Sequence, residues 1–173
     1  MILLGRKVED ISGRPLADFL KDRVFDPLKM KDTGYEPDPA RCAPTTKAAP
    51  GVVHDPLARA YATKEHRAGN AGLFSTGDDL AKFCQALLSG KILKAKTVQS
   101  MFESNADSRG LGWDVFSDPP WKGGVGHTGY TGTLIWIDPA KGRWVVLLTN
   151  RCYPDDQASV KRLREEVLKV VNR

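Results

Sequence analysis

Apolar residues recur at helical spacing from the start of the chain. Leu4, Val8 and Ile11 share one face before Ser12-Gly13 stops the run. Pro15 suits the first turn of a second helix, with Leu16, Phe19, Leu20 and Val24 as its inward stripe. Asp26-Pro27 then breaks it. From residue 31 to about 70 the periodicity disappears and Pro37, Pro39, Pro44, Pro50 and Pro56 accumulate. A stretch of that length without regular structure reads as a functional or supporting loop. Thr76 followed by Asp79 resembles a capping box with Asp in the usual Glu place. Leu80, Phe83, Cys84, Leu87 and Leu88 then predict an amphipathic helix that Gly90 ends, and a shorter helix carries Val98, Met101 and Phe102.

After Ser108 the period changes from helical to extended. Residues 111–116, 132–137 and 144–149 read as strands, the last two joined by the turn Asp138-Pro139-Ala140-Lys141-Gly142. Pro154, Asp155 and Asp156 are expected to open a terminal helix whose Val160, Leu163, Val167, Val170 and Val171 share a face. The prediction is an α+β chain. Its helical and loop region covers residues 1–105; a three-stranded antiparallel sheet and a C-terminal helix cover 106–173.

Composition narrows the function classes. The 173 residues are 41% hydrophobic and 27% charged, which excludes disorder and collagen-like repeats. The net charge is +5, and Lys161, Arg162, Arg164, Lys169 and Arg173 crowd the last stretch. No aromatics interleave with them, so the reading is a solvated helix face, with no nucleic-acid partner. No run approaches the roughly 20 apolar residues of a membrane span, and Met1-Ile2-Leu3-Leu4 is too short for a signal-peptide core. The chain as written is therefore expected to be soluble, with its compartment open. Cys42, Cys84 and Cys152 form no C-x-x-C pair and are read as structural thiols. His54, His66 and His127 show no metal-ligand spacing, so no metal and no cofactor is expected.

The densest chemical signal is the glycine-rich run from Lys122 to Gly132. Gly124, Gly126 and Gly129 satisfy G-x-G-x-x-G in form. A dinucleotide fingerprint needs a strand before it, a helix opening on it and an acid about 20 residues on. Here a strand follows instead, and Thr149 and Asn150 stand at that distance. A kinase loop lacks its H-R-D and D-F-G partners, and Tyr130 occupies the place of a Walker A lysine. Two readings stay open: a glycine bulge that lets two backbones approach, or a functional edge. His127, Thr128 and Gly129 supply a titratable ring, a hydroxyl and a side-chain-free residue at a strand. Such an edge can offer donors to a carboxylate and a backbone N–H to an oxyanion.

The blocks "LLGRKVEDISGRPLADFLKDRVFDPLKMKDTGY", "AGLFSTGDDLAKFCQALLSGK", "GHTGYTGTLIWIDP" and "VVLLTNRCYP" lie in the order of the serine β-lactamase and penicillin-binding-protein superfamily. The chain resembles its class C-like branch, which includes D-Ala-D-Ala carboxypeptidases and small-ester hydrolases. "GVVHD", residues 51–55, resembles a further segment of these hydrolases. The resemblance implies a β-lactamase/transpeptidase-like fold. It places His127, Thr128 and Gly129 on the family's Lys-Thr-Gly motif, in its His-Thr-Gly form. Thr128 and His127 would then face a substrate carboxylate, Tyr130 N–H would be one of two oxyanion donors, and Asn150 would lie near the carboxylate. An imidazole carries at most partial charge near neutrality, where a lysine carries a full one. That leans away from β-lactams and toward peptides or esters.

Two motifs of the family are absent. No serine has lysine three residues on, no Tyr-x-Asn occurs, and no Gly-x-Ser-x-Gly substitutes. In the family Tyr-x-Asn precedes the "ILLG" helix, so the resemblance implies that the chain starts downstream of it and lacks the N-terminal half. In the family fold the last strand pairs with an N-terminal one. The segment Trp144-Val145-Val146-Leu147-Leu148 is therefore expected to be an open apolar edge, favouring a homo-oligomer or pairing with a separate N-terminal half. The functional expectation is the C-terminal part of a serine hydrolase, inactive alone. The alternatives are a non-catalytic module that binds peptides, cell-wall fragments or a partner, and a structural domain with an unused cleft.

Overall fold

The first helical stripe is realised as α1, Ile2–Ser12, closed by Gly13 in the left-handed region at φ 67°. A computed structural model describes residues 1–103, 108–155 and 158–173. They fall into two compact units, Met1–Asp79 and Leu80–Arg173.

In the first unit α2, Leu16–Leu20, follows Pro15 and runs into a π-helical turn, Lys21–Phe25. Leu16, Phe25, Leu28 and Met30 are buried. The inward face of α1 is rotated from the predicted one: Leu4 is 56% and Ile11 78% exposed and Val8 is half-buried, whereas Gly5 and Glu9 are buried. The cause is close backbone packing, since a Cβ on Gly5 would stand 3.0 Å from Gly69 N. The proline-rich stretch contains the short helix α3, Pro56–Tyr61, which periodicity does not predict. Asp55 starts it by accepting Ala58 N–H at 2.7 Å, with Pro56 pre-set for the first turn.

Glu9 is a buried acid of this unit. It accepts Leu16 N–H at 3.0 Å and the His66 Nδ1–H at 2.8 Å. Burial alone would raise its pKa; the Leu16 N–H, the His66 ring and the Arg67 backbone outweigh burial and hold the carboxyl below its ordinary value. A lowered folded-state pKa means that this stabilisation is complete above the ordinary carboxylate range and is lost as pH falls through the lowered value. Urea unfolding midpoints are therefore expected to fall on acidification below the ordinary value of 4.5. Glu9→Gln should flatten that part of the profile and cost about 1–3 kcal/mol at neutral pH. Parallel pH profiles for the two proteins would count against this role.

α4, Gly77–Leu88, begins at the predicted cap, where Thr76 Oγ1 accepts Asp79 N–H at 3.3 Å. In the second unit α5, Ala95–Phe102, carries the predicted Val98. Among the described residues the sheet has four strands and not the expected three: β1 Asp114–Val115, β2 Val125–Thr128, β3 Leu134–Asp138 and β4 Arg143–Leu147. Their order is β1-β2-β3-β4, antiparallel throughout. The extra strand is β2, whose glycine content conceals the alternation that strand prediction relies on. The expected first strand contracts to two residues.

Leu134-Ile135-Trp136-Ile137 is apolar on consecutive positions because both faces of the sheet are covered. Val125, Ile137 and Trp113 pack with Cys84, Leu87 and Val98 on one face. Leu134, Trp136 and Val145 pack with Leu168 on the other. The helix on that second face is α6, Lys161–Val171. It starts later than expected, with Val160 at its N-cap, and Asp156 lies outside the described residues. Its inward stripe is also rotated. Leu168 is fully buried, with Val167 and Val171 beside it, whereas Leu163 and Val170 are 45% and 64% exposed. Asp138 fixes the β3–β4 turn by accepting Lys141 N–H at 3.1 Å and Arg143 Nε–H at 3.2 Å. Among the described residues no helix is long and apolar enough to cross a membrane.

Candidate functional site

β2 carries the candidate residues to one end of the sheet. Its register sets His127 opposite Ile135 and Thr128 opposite Leu134, and Leu134 in turn faces Leu147 of β4. Since β2 and β4 both run antiparallel to β3, their C-terminal ends lie at the same end of the sheet. Thr128, Gly129 and Tyr130 leave β2 there, and Asn150 follows β4 there.

His127 is exposed on the strand and Thr128 is half-buried. A carbonyl oxygen can only accept, so the 2.8 Å contact between His127 Nδ1 and Thr128 O places a proton on Nδ1. Nε2 is then an acceptor in the neutral ring and a donor in the protonated one. That ring offers a carboxylate a full charge–charge contact only in its protonated state. Gly129 leaves room for the Thr133 hydroxyl: a Cβ there would stand 2.1 Å from Thr133 Oγ1, which would have to turn away. Its N–H donates to Thr133 O at 2.8 Å and its carbonyl accepts Gly132 N–H at 3.1 Å, which closes a tight turn around Tyr130.

Tyr130 is 60% exposed, and the Arg151 guanidinium lies 4.7 Å from its ring centroid. Asn150 Oδ1 accepts Cys152 N–H at 3.0 Å, a local turn that orients the side chain. The next residue ties this segment to the glycine turn, because Arg151 N–H donates to Thr131 O at 2.9 Å. All five expected residues, His127, Thr128, Gly129, Tyr130 and Asn150, therefore belong to one end of one sheet.

Arg151 and Arg164 reach the same turn and were not anticipated as part of it. Arg164 Nη2 donates to Gly129 O and Thr133 O, each at 2.8 Å. The sequence signal was a cation four residues before the core Leu168, on the inward stripe of α6. One cysteine touches the arrangement, the buried Cys152, whose thiol donates to Tyr130 O at 3.9 Å. Cys84 is fully buried, its thiol pushed up to about 12 by desolvation, and no disulfide is present among the described residues. Nor does any group of three His, Cys, Asp or Glu among them have metal-ligand geometry.

Sequence and fold comparisons agree with one another. The "Putative D-alanyl-D-alanine carboxypeptidase" of Escherichia coli (strain K12) is 30% identical, over 87% of this chain and 43% of that protein. The N-acetylmuramyl-L-alanine amidase of Bacillus subtilis (strain 168) is also 30% identical, over 87% of this chain and 42% of that protein. The chain thus spans less than half the length of these relatives. In three dimensions it superposes on simvastatin synthase from Aspergillus terreus, in its LovD6 mutant, with a TM-score of 0.77. That match is 20% identical and covers 99% of this chain and 54% of the other, a likeness of fold. A beta-lactamase family model matches residues 1–169, nearly the whole sequence, and the chain belongs to that family as a partial serine-hydrolase-like domain.

Proposed function

We propose that the chain is the carboxylate-recognising part of a serine acyl-transfer hydrolase acting on D-Ala peptides, β-lactams or small esters. The observation that carries this reading is the His127-Thr128-Gly129 strand end, which leads directly into a tight turn bearing Tyr130. In this reading the Thr128 hydroxyl and the His127 ring bind the substrate carboxylate, and Asn150 flanks it. Tyr130 N–H supplies one of two donors to the oxyanion that forms when a serine attacks the carbonyl. The serine, and the lysine and tyrosine that move its proton, belong to Ser-x-x-Lys and Tyr-x-Asn motifs that these 173 residues do not contain. The chain alone binds but does not turn over.

Its partners in this reading are a carboxylate-bearing substrate and either a second copy or a polypeptide carrying the missing motifs. The second reading is a non-catalytic module that binds peptides, cell-wall fragments or a partner; the lack of a Ser-x-x-Lys favours it for this chain taken alone.

N-acetyl-D-alanine is a direct probe. Its addition should shift the backbone amide resonances of Thr128, Gly129 and Tyr130. Thr128→Val, which keeps the shape and deletes the hydroxyl, should weaken binding about tenfold, the value of one hydrogen bond to a charged group. Shifts elsewhere with none at these residues would remove the basis for the proposal.

A further inference from the structure

The turn after Gly129 is held from outside the sheet. Its own bonds are Gly129 N–H to Thr133 O and Gly132 N–H to Gly129 O. Both of those acceptors take a second hydrogen bond, and in each case the donor is Arg164 Nη2, at 2.8 Å. A single nitrogen on α6 thus bridges the two ends of the segment that contains Tyr130. Arg151 braces the middle, with its guanidinium against the Tyr130 ring and its backbone N–H on Thr131 O.

Arg164 sits poorly as a stabilising residue. It occupies the sheet-facing stripe of α6, one turn before Leu168, where the pattern calls for an apolar side chain. Among the described residues its Nε is a buried nitrogen with no hydrogen-bond partner. Burial, together with the charge of Arg151, lowers its pKa below the usual arginine value. A half-buried cation with a buried, unsatisfied N–H and, among the described residues, no carboxylate in ion-pair contact is commonly no better for stability than an apolar residue of the same size. What it gains by staying is the pair of bonds to the turn.

We infer that Arg164 is a positioning residue, which by bridging Gly129 O and Thr133 O fixes the turn that presents Tyr130 N–H beside Thr128. The consequence for recognition rests on the function proposed above; the consequence for the turn does not. Nη2 alone makes both bonds, so a lysine ammonium can make them too, whereas methionine keeps the apolar stem and loses them.

The test compares Arg164→Met, Arg164→Lys and the exposed-helix control Arg162→Met in the full chain. Two readouts are needed: amide hydrogen exchange at Gly129 and Gly132, and binding of N-acetyl-D-alanine. For Arg164→Met the expected result is an unchanged or raised melting temperature, exchange about tenfold faster at both glycines, and binding about tenfold weaker. Arg164→Lys should recover most of both effects, and Arg162→Met should change neither. Wild-type exchange and affinity in Arg164→Met would overturn the inference, as would methionine matching lysine in both readouts. If the wild-type chain does not bind the ligand, the functional proposal falls and exchange at Gly129 and Gly132 decides this one, with unchanged protection overturning it.

Discussion

Incubated with a fluorescent penicillin or an activated ester, the 173-residue chain is expected to yield no covalent adduct. Acylation in this family's chemistry needs a serine hydroxyl activated by a base one helical turn away, the spacing that Ser-x-x-Lys provides. None of the serines from Ser12 to Ser159 has that lysine. The distinction between weak and absent activity is physical. Losing one oxyanion donor slows such an enzyme by about 10²–10³, which leaves a measurable rate. Losing the nucleophile removes the covalent route itself. Adding a second polypeptide that carries Ser-x-x-Lys and Tyr-x-Asn should restore labelling if the chain is part of a hydrolase. Continued absence of label in a complex that does form would favour the binding module. The outer edge of β4 gives the same experiment a second readout, because among the described residues its only strand partner is β3. Val145, Val146 and Leu147 make that edge apolar, a template for association. Light scattering should show self-association of the chain alone and a one-to-one complex once the second polypeptide is present. A monodisperse monomer at high concentration would sink the association.

How far the sequence is legible follows from which forces act locally. α4 and α5 form where their apolar spacing puts them, and the Thr76 cap starts α4 as read. α1 and α6 also form as helices, but periodicity could not say which face turns inward. On α1 the decision belongs to Gly5 and Glu9, through a backbone approach to Gly69 and a hydrogen bond to Leu16, both set by residues far along the chain. On α6 the inward stripe follows Leu168, while the sequence offered Leu163 and Val170 as equally apolar candidates. α3 was concealed by its prolines, although Asp55-Pro56 is itself a start signal. β2 was concealed by glycines whose purpose is visible only when β3 lies beside it. The site divides in the same way. His127, Thr128 and Gly129 are contiguous and carry a recognisable chemistry. Arg151 and Arg164 reach the same turn from beyond β4 and from α6, through contacts that no local pattern encodes.

Trp136→Ala is expected to cost about 3–5 kcal/mol, a large share of the 5–15 kcal/mol that holds a typical domain together. The indole has no exposed surface and packs with Leu134, Val145 and Leu168 under α6. Its Nε1–H donates to Trp121 O at 3.1 Å, and its residue lies opposite Gly126 on one side and Val145 on the other. Truncation therefore leaves a cavity directly beneath the strand that carries His127. The urea midpoint should fall with an unchanged slope, as for a cavity in an otherwise intact fold. Trp136→Phe keeps much of the apolar volume and forfeits the bond to Trp121, so about 1–3 kcal/mol is expected. Gly124 provides the decisive control, because a Cβ there would stand 2.0 Å from the indole nitrogen. Gly124→Ala should therefore be costly in the wild-type background and nearly neutral once Trp136 is alanine. A double-mutant cycle should return a coupling of about 1–3 kcal/mol. Additive costs would mean that Gly124 does not reserve this space. Strong coupling would explain why a glycine run that mimics a nucleotide fingerprint ends in a strand: the missing side chains admit the tryptophan that holds His127 and Thr128 at the sheet's end.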